Sequence, residues 1–203
     1  MNVLIERMQA LLDRGGRRIL GIAGGPGSAK STVARGLAEA MGPRAVVVPM
    51  DGFHLANEEL VRLGRRDRKG APDTFDVAGY RAMLERLRAG GPEVVYAPRF
   101  DRAGEIAVAG AIPVGPEVRL VITEGNYLLL DTPGWSEVRD LLDETWFLDL
   151  SPQARRERLV ARRTRGGESS ADALAWVARV DEPNARLVAP TAERADVVIR
   201  LDD

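Results

Sequence analysis

Residues 17–32, RRILGIAGGPGSAKST, constrain the fold of this chain more than any other segment. Their apolar first half predicts a buried β-strand, and the glycine-rich turn that follows leads directly into a helical pattern over residues 30–41. Gly42 and Pro43 end that pattern. A buried strand joined to a helix by so short a turn is typical of α/β proteins.

Four further apolar runs predict the remaining strands of a parallel sheet. They are separated by segments with helical periodicity, so we expect a three-layer α/β/α fold with a five-stranded, mainly parallel sheet. The predicted strands lie in the segments 17–24, 45–52, 118–125, 145–151 and 195–201, and the predicted helices at 3–14, 30–41, 77–89, 152–165 and 171–180.

Polar or glycine residues end four of these strands: Gly24, Asp51, Glu124 and Asp149. Open α/β sheets bind ligands at the carboxyl ends of their strands, so this edge is the candidate site. Two stretches rich in Gly, Pro and charge, about 52–76 and 90–116, read as substrate-side loops or a short β excursion.

Composition excludes several classes of function. The chain has no cysteine and one histidine, His54, which excludes disulfides, thiolate metal sites and a multi-histidine zinc site. A net charge of −1 implies no large basic field for nucleic acid. No apolar run approaches the ~20 residues of a membrane helix, and the charged first residues do not read as a signal peptide. We therefore expect a cytoplasmic protein without a nucleic-acid or membrane partner.

The glycine-rich turn matches a phosphate-binding loop at all but one position. The pattern is Gly, four residues, then Gly-Lys-Ser/Thr, and here Ala29 replaces the second glycine between Gly24 and Lys30. Backbone amides would surround the phosphates of ATP, Lys30 would neutralise them and Ser31 would ligate Mg²⁺. The alternative is a plain glycine-rich turn. The candidate nucleotide-binding residues are Gly24, Gly25, Pro26, Gly27, Ser28, Ala29, Lys30, Ser31 and Thr32.

Ala29 raises a conformational question. In a left-handed backbone conformation alanine costs on the order of 1–2 kcal/mol, whereas on the helical side of the turn it is tolerated. Neither cost would abolish a site that has several amides and Lys30, so we expect a functional loop.

Two carboxylates are candidates for the chemistry. Asp51 would accept the proton of a substrate hydroxyl, although Asp-Gly also commonly forms a turn. Glu124 would hold Mg²⁺ or its waters opposite Ser31, although it would also serve as an N-cap or turn residue.

The loop followed by MDGFH at residues 50–54 resembles the uridine kinase, pantothenate kinase and phosphoribulokinase group of P-loop kinases. The segments PDTFD (72–76), PRFDR (98–102) and ITEGNYLLL (122–130) are most similar to its bacterial nucleoside- or fructokinase-like branch. The resemblance covers about residues 18–200. It implies a P-loop NTPase fold forming one kinase domain over 1–203, Asp51 as the general base and a possible homodimer.

The chain departs from this group in two ways besides Ala29. GFHL after Asp51 is not the Ser-Phe-Tyr of typical uridine kinases, and DGF is closer to pantothenate kinases. The chain is nevertheless shorter than the main bacterial pantothenate kinases.

An arginine-rich segment at about 155–170 is the candidate lid. By resemblance to uridine-kinase lids, Arg158, Arg162 and Arg165 would contact the nucleotide phosphates, with Arg162 in a catalytic role and Arg163 a weaker candidate. The alternative is a solvated helix face.

The candidate substrate residues mix aromatic and charged types, which suits a polar small molecule with an apolar portion. Some of these aromatic residues would instead anchor loops to the core. The set comprises Phe53, His54, Arg68, Lys69, Phe75, Asp76, Tyr80, Arg99, Phe100, Asp101, Arg102, Glu124 and Asn126.

The leading hypothesis is an ATP- and Mg²⁺-dependent kinase that phosphorylates a hydroxyl of a nucleoside, sugar or pantothenate-like metabolite. The alternatives are a regulatory or metallochaperone-type GTPase and a nucleotide-binding protein without transfer activity. Guanine selection usually uses an Asn/Thr-Lys-x-Asp segment, and the only lysine outside the loop, Lys69, stands in RDRKGAP. That absence disfavours the GTPase.

Overall fold

A computed structural model describes residues 2–201 and contains a five-stranded parallel sheet. The sheet has the order β2-β5-β1-β6-β7, and every pairing in it is parallel. The strands in chain order, including a separate two-stranded hairpin, are β1 (Arg18–Ala23), β2 (Ala45–Pro49), β3 (Val95–Asp101), β4 (Ile106–Val114), β5 (Leu120–Gly125), β6 (Glu144–Asp149) and β7 (Val197–Arg200).

Helices cover both faces of the sheet. The helices in chain order are α1 (Asn2–Asp13), α2 (Lys30–Met41), α3 (Asn57–Arg62), α4 (Val77–Ala89), α5 (Ser136–Arg139), α6 (Pro152–Arg165), α7 (Ser170–Trp176) and α8 (Glu182–Val188). A π-helical turn, Val177–Asp181, connects α7 to α8.

The alternation of side chains along β1 divides the core in two. Leu20 and Ile22 pack with apolar residues of α1 and α2 on one face, whereas Ile19 packs with Leu84 and Leu87 of α4 on the other. Strands buried on both faces read as continuous apolar runs, as the sequence of β1 does. The predicted three-layer fold and five strands are therefore confirmed.

The two stretches read as substrate-side loops or a short β excursion contain regular structure, and the second of them does form a β excursion. Helix α3 lies within 52–76, and β3 and β4 form an antiparallel hairpin within 90–116. Most of β4 is exposed on both sides, and the pairing register shifts between Ala97 and Arg99. Neither strand therefore shows the alternation of apolar and polar residues that sequence analysis detects. The predicted helix over 171–180 becomes α7 and the π-helical turn.

Hydrogen bonds in the core connect α4 to the strands that carry the site. The Tyr80 hydroxyl contacts Thr123 Oγ1 at 2.5 Å, and Thr123 donates to the carbonyl of Val48 at 2.7 Å. Both Tyr80 and Thr123 are fully buried. These two hydrogen bonds hold β2 and β5 in place at Val48 and Thr123, close to the carboxyl ends of both strands. Within residues 2–201, none of the helices has the length and apolar character needed to cross a bilayer.

Candidate active site

The loop of residues 24–29 joins β1 to α2 and is shaped by its small residues. A Cβ atom on Gly27, which has φ +82°, would lie 2.8 Å from the carbonyl oxygen of Arg155. Ala29 has φ 65° and ψ 19°, the left-handed conformation, directly before α2. The structure thus answers the question that Ala29 raised: alanine carries the conformational cost here, on the order of 1–2 kcal/mol.

Backbone amides at the start of α2 are free to bind an anion. Among residues 2–201, no protein oxygen accepts a hydrogen bond from the N–H groups of Ala29, Lys30 or Ser31, whereas the N–H of Thr32 bonds to the carbonyl of Ala29. Ser28 Oγ is buried and also has no partner among these residues. Unpaired amides at a helix N-terminus suit phosphate oxygens, so the residues present fit a nucleotide.

Lys30 lies buried at the centre of the loop. Its Nζ donates to the carbonyl of Gly25 at 2.9 Å and to Asn126 Oδ1 at 2.8 Å. Burial lowers the pKa of Lys30 to about 8, although the nearby charges of Glu124 and Asp51 oppose that shift. An ammonium group held in this way is ready to exchange protein oxygens for phosphate oxygens.

Glu124 lies where three strands end together. It pairs with Pro49 of β2 on one side and with Ile22 of β1 on the other. Its Oε1 accepts a hydrogen bond from Ser31 Oγ at 2.8 Å, and burial, followed by the charge of Asp51, raises its pKa. Within residues 2–201 no three His, Cys, Asp or Glu side chains form a metal cluster. Mg²⁺ typically binds one or two carboxylates together with phosphates and water, and the Ser31–Glu124 pair fits that mode.

Asp51 follows β2 in a 3-10 turn, Met50–Phe53. Its side chain is 28% exposed, and its Oδ2 lies 3.1 Å from Arg102 Nη2, which projects from the tip of the β3–β4 hairpin. The His54 ring contacts the carbonyl oxygen of Asp51 through Nδ1 at 2.8 Å, and burial lowers the pKa of His54. Asp51 is thus a partly exposed carboxylate that forms an ion pair with Arg102.

Helix α6 forms the wall opposite the hairpin. Ser151 caps it by accepting from the N–H of Ala154. Arg155 is buried and donates to the carbonyl of Pro26 at 3.0 Å, which attaches the helix to the loop. Further along, Arg163 forms an ion pair with Glu168 and lies 4.5 Å from the ring centroid of Trp176.

These walls enclose a cavity of about 540 Å³. It brings together most of the site residues predicted from the sequence: Pro26, Gly27, Ala29, Lys30, Ser31, Thr32, Asp51, His54, Lys69, Phe75, Phe100, Arg102, Glu124, Asn126, Arg158, Arg162, Arg163 and Arg165.

Several predicted residues lie outside the cavity. Tyr80 is in the core, and Phe53 packs on its ring at 5.0 Å between centroids, because both side chains anchor the turn after β2 to α4. Asp76 caps α4, and Arg68 pairs with Asp73. Arg99 is exposed, and Asp101 accepts from the N–H of Gly104 in the hairpin turn. Gly24, Gly25 and Ser28 do not line the cavity themselves.

The cavity also includes residues that sequence analysis did not select: Arg35, Arg66, Gly70, Glu105, Leu159, Trp176, Val180, Asp181 and Asn184. Asp181 and Asn184 lie in a segment, VDEPN, that matches no motif. Their position depends on how α7 and α8 pack, which the local sequence does not reveal.

A parallel sheet with this loop at the end of its central strand, and a carboxylate at the end of a neighbouring strand, is the arrangement of the P-loop NTPases, the class that includes P-loop kinases of small molecules. Residues 19–202 match the model of the Phosphoribulokinase / Uridine kinase family. The chain therefore belongs to that family, and it is an ATP-dependent small-molecule kinase.

Three proteins that are similar to this chain illustrate the range of its family. It is 34% identical over 208 residues to a protein of Schizosaccharomyces pombe that is provisionally named a uridine kinase, covering 97% of this chain and 88% of that protein. It is 32% identical over 214 residues to a pantothenate kinase of Clavibacter michiganensis subsp. michiganensis, covering 91% and 66%.

A solved structure from Silicibacter sp. TM1040, provisionally named a fructose transport system kinase, is similar over 97% of this chain and 98% of its own. That similarity has a TM-score of 0.87 and 41% sequence identity. The names of these three relatives refer to uridine, to pantothenate and to a fructose transport system respectively.

Proposed function

We propose that this kinase transfers the γ-phosphoryl group of ATP, with Mg²⁺, to a hydroxyl group of a small polar metabolite, and that Asp51 accepts the hydroxyl proton. The convergence on one cavity of Asp51 after β2, Glu124 in β5 and Lys30 after the loop that follows β1 carries this proposal, because these three strands are adjacent in the sheet. Kinases of this class place a base next to the phosphate site in the same way.

The nucleotide end of the cavity is built from the loop and α2. The amides of Ala29, Lys30 and Ser31 would hold the phosphates, and Ser31 with Glu124 would hold the metal. Magnesium–ATP supplies the phosphoryl group and a divalent charge next to it. Because Lys30 is buried, its ammonium acts on phosphate oxygens in a medium of low dielectric constant, where its effect is large.

Arginines of α6 supply further positive charge. Arg158, Arg162 and Arg165 line the cavity, and we propose that they contact the phosphates when the segment 155–170 acts as a lid. The attachment of Arg155 to Pro26 keeps the start of this segment on the loop. Positive charge from this helix would offset negative charge that develops on the transferred group.

The acceptor end of the cavity lies around Asp51. Arg102 reaches Asp51 from the hairpin, so an acceptor hydroxyl would have to enter beside this ion pair or displace it. His54 packs there between the tilted aromatic rings of Phe75 and Phe100, whose centroids lie 4.1 Å and 4.7 Å from that of the histidine ring. Such a wall suits a small molecule with both polar and apolar faces, which agrees with a sugar, nucleoside or pantothenate-like acceptor.

The test is a panel of metabolites assayed with ATP and Mg²⁺, with ADP release and acceptor phosphorylation measured in parallel. We expect ADP release to depend on one acceptor and Asp51→Asn to lower kcat by at least about 100-fold, the lower end of a typical general-base effect. Asp140→Asn is the matched control because Asp140 is exposed and lies outside the cavity. Full activity of Asp51→Asn, or ADP release that no acceptor stimulates, would contradict the proposal.

A further inference from the structure

Asp181 lines the cavity, but it belongs neither to the phosphate-binding loop nor to the proposed base, and the proposed function gives it no role. It ends the π-helical turn Val177–Asp181 and is only 9% exposed. Its Oδ2 atom is buried and, within residues 2–201, has no hydrogen-bond partner. Buried carboxylates without a donor are rare in folded proteins, and π-helical turns are frequent at functional sites.

The charges around Asp181 indicate what kind of group it lacks. Burial raises its pKa, and Arg162, Arg163 and Arg155 oppose that shift. Arg155 and Arg163 are already bonded to Glu182 and Glu168 respectively. Because three guanidinium groups already supply positive charge nearby, a neutral hydrogen-bond donor complements this carboxylate better than a further cation does.

Contacts made by the next helical turn indicate that Asp181 lies on the acceptor side of the cavity. Asn184 follows it by three residues and so lies on the same side of the helix. The Asn184 Nδ2 donates to the carbonyl of Gly70 at 3.3 Å, and that carbonyl also accepts from the Tyr127 hydroxyl. Gly70 belongs to the segment 52–76, the proposed acceptor side.

The position of Arg162 agrees with this placement. Its guanidinium lies within the electrostatic reach of both Asp181 and Asp51. Both carboxylates also line the same cavity. An acceptor bound in this cavity therefore has the proposed base and Asp181 among the carboxylates of its walls.

We infer that Asp181 is a specificity-determining residue that accepts a hydrogen bond from a second hydroxyl of the acceptor, one that is not phosphorylated. The inference rests on the proposed function and narrows it: the preferred acceptor carries at least two hydroxyl groups. An analogue that lacks the second hydroxyl leaves the carboxylate unpaired, and sites built around a hydrogen bond reject such analogues strongly.

The experiment uses acceptors paired with their deoxy analogues: uridine with 2′- and 3′-deoxyuridine, D-fructose with its monodeoxy derivatives, and pantothenate with 2-deoxypantothenate. NMR of the product identifies the phosphorylated hydroxyl, so that only analogues that retain it are compared. For the best acceptor we expect the wild-type kcat/KM to exceed that of one analogue by about 10- to 100-fold, the range for a hydrogen bond to a charged group.

Asp181→Ala is expected to reduce this preference to less than about 3-fold by lowering kcat/KM for the full acceptor alone, with the KM for ATP unchanged. Asp181→Asn keeps an acceptor oxygen and is expected to retain part of the preference. If the alanine variant does not fold, the ratio of kcat/KM for the acceptor to that for its analogue is measured on the asparagine variant. Asp140→Asn is expected to behave as wild type.

Three results would overturn the inference: equal losses for the acceptor and its analogue, a change confined to the KM for ATP, or a wild-type enzyme without preference among the pairs. The proposed function is tested separately, because Asp51→Asn should lower kcat by at least about 100-fold for every acceptor whatever Asp181 does. If the wild type phosphorylates no acceptor, the proposed function fails and this inference fails with it.

Discussion

Ala29 is a residue whose replacement should stabilise the protein. At φ 65° alanine is strained where glycine is not, and the greater freedom of glycine in the unfolded chain offsets part of the gain. We expect Ala29→Gly to raise the free energy of unfolding by about 1 kcal/mol, measured by denaturant unfolding. Affinity for ATP should change by less than about 10-fold, because the amides and Lys30 remain in place.

Ala40→Gly, in the last turn of the same helix, is the matched control. Ala40 is exposed and helical, so glycine there should lower the free energy of unfolding by about 0.5–1 kcal/mol. Destabilisation by both substitutions would show that Ala29 is not strained. A gain in ATP affinity of several orders of magnitude would show instead that the natural loop is impaired.

Lys30 should make nucleotide binding depend on pH. With a pKa of about 8, the free enzyme loses this proton as the pH rises through 8, whereas bound phosphate favours the charged form. We therefore expect ATP binding to weaken above pH 8 and to take up about 0.9 proton at pH 9 but only about 0.1 at pH 7. Calorimetry in buffers of different ionisation enthalpy measures this uptake.

Lys30→Arg is the control, since a guanidinium does not titrate in this range. The variant should bind ATP less well, but it should show no proton uptake from this position. Equal uptake by both proteins would assign the proton to another group. The same pKa has a consequence for folding: between pH 8 and the unfolded value of 10.5 the unfolded chain holds the extra proton, so the cost of burying the charged Lys30 is relieved progressively, and the free energy of unfolding rises, as pH rises through that window.

Local motifs were sufficient to select the loop, Asp51 and Glu124, which the structure brings to one cavity. Each was selected because it lies at or just after the end of an apolar run. Tyr80 shows the limit of this reasoning. The sequence alone does not distinguish an aromatic residue that lines a cavity from one that packs in the core. Asp181 shows the opposite limit, since a carboxylate without a motif gains its position only from tertiary packing.

At the scale of elements, Lys69 connects the segment 52–76 to the β3–β4 hairpin. Its Nζ donates to Asn57 Oδ1 at 2.7 Å and to the carbonyl of Glu105 at 2.6 Å, and it lies 5.2 Å from the centroid of the Phe100 ring. We expect Lys69→Met to lower the free energy of unfolding by about 1–3 kcal/mol, because it leaves two partly buried acceptors unpaired. Amide hydrogen exchange should also become faster at the hairpin tip.

Arg66→Gln is the matched control for Lys69→Met. Arg66 also contacts Glu105, at 3.2 Å, but the side chains of both members of this ion pair are at least 40% exposed. Its loss should change the free energy of unfolding by no more than about 0.5 kcal/mol. If the two variants lose the same stability, Lys69 does not hold the hairpin.

The sequence allowed the buried elements to be predicted better than the exposed ones. The three inner strands of the sheet, β1, β5 and β6, are buried along almost their whole length, so their apolar runs identify them without tertiary information. The hairpin has few buried positions and an irregular register, and α3 has only six residues. Backbone hydrogen bonds and neighbouring segments decide the structure there, and these leave little periodicity in the sequence.

At the scale of the whole molecule, bound nucleotide should stabilise the fold because its proposed site draws on three separate elements. ATP with Mg²⁺ at 100 times its Kd should add about 2.7 kcal/mol, or about 5–10 °C in Tm for a chain of this size. Removing the metal with EDTA should reduce the shift, and adenosine, which lacks the phosphates, should give little. Thermal unfolding measures all three, and a shift unaffected by EDTA would contradict the role of Ser31 and Glu124 in holding a metal.

The order of strands in the sheet has a consequence for how the protein folds during its synthesis on the ribosome. β1 lies at the centre, yet its partners β5 and β6 follow it by about a hundred residues. During synthesis the phosphate loop therefore leaves the ribosome long before any strand that can hold it in shape. Sheets with such distant partners fold slowly and expose apolar edges meanwhile. A growing chain should gain the ability to bind ATP only after β5, β6 and α6 have been synthesised and have joined the loop.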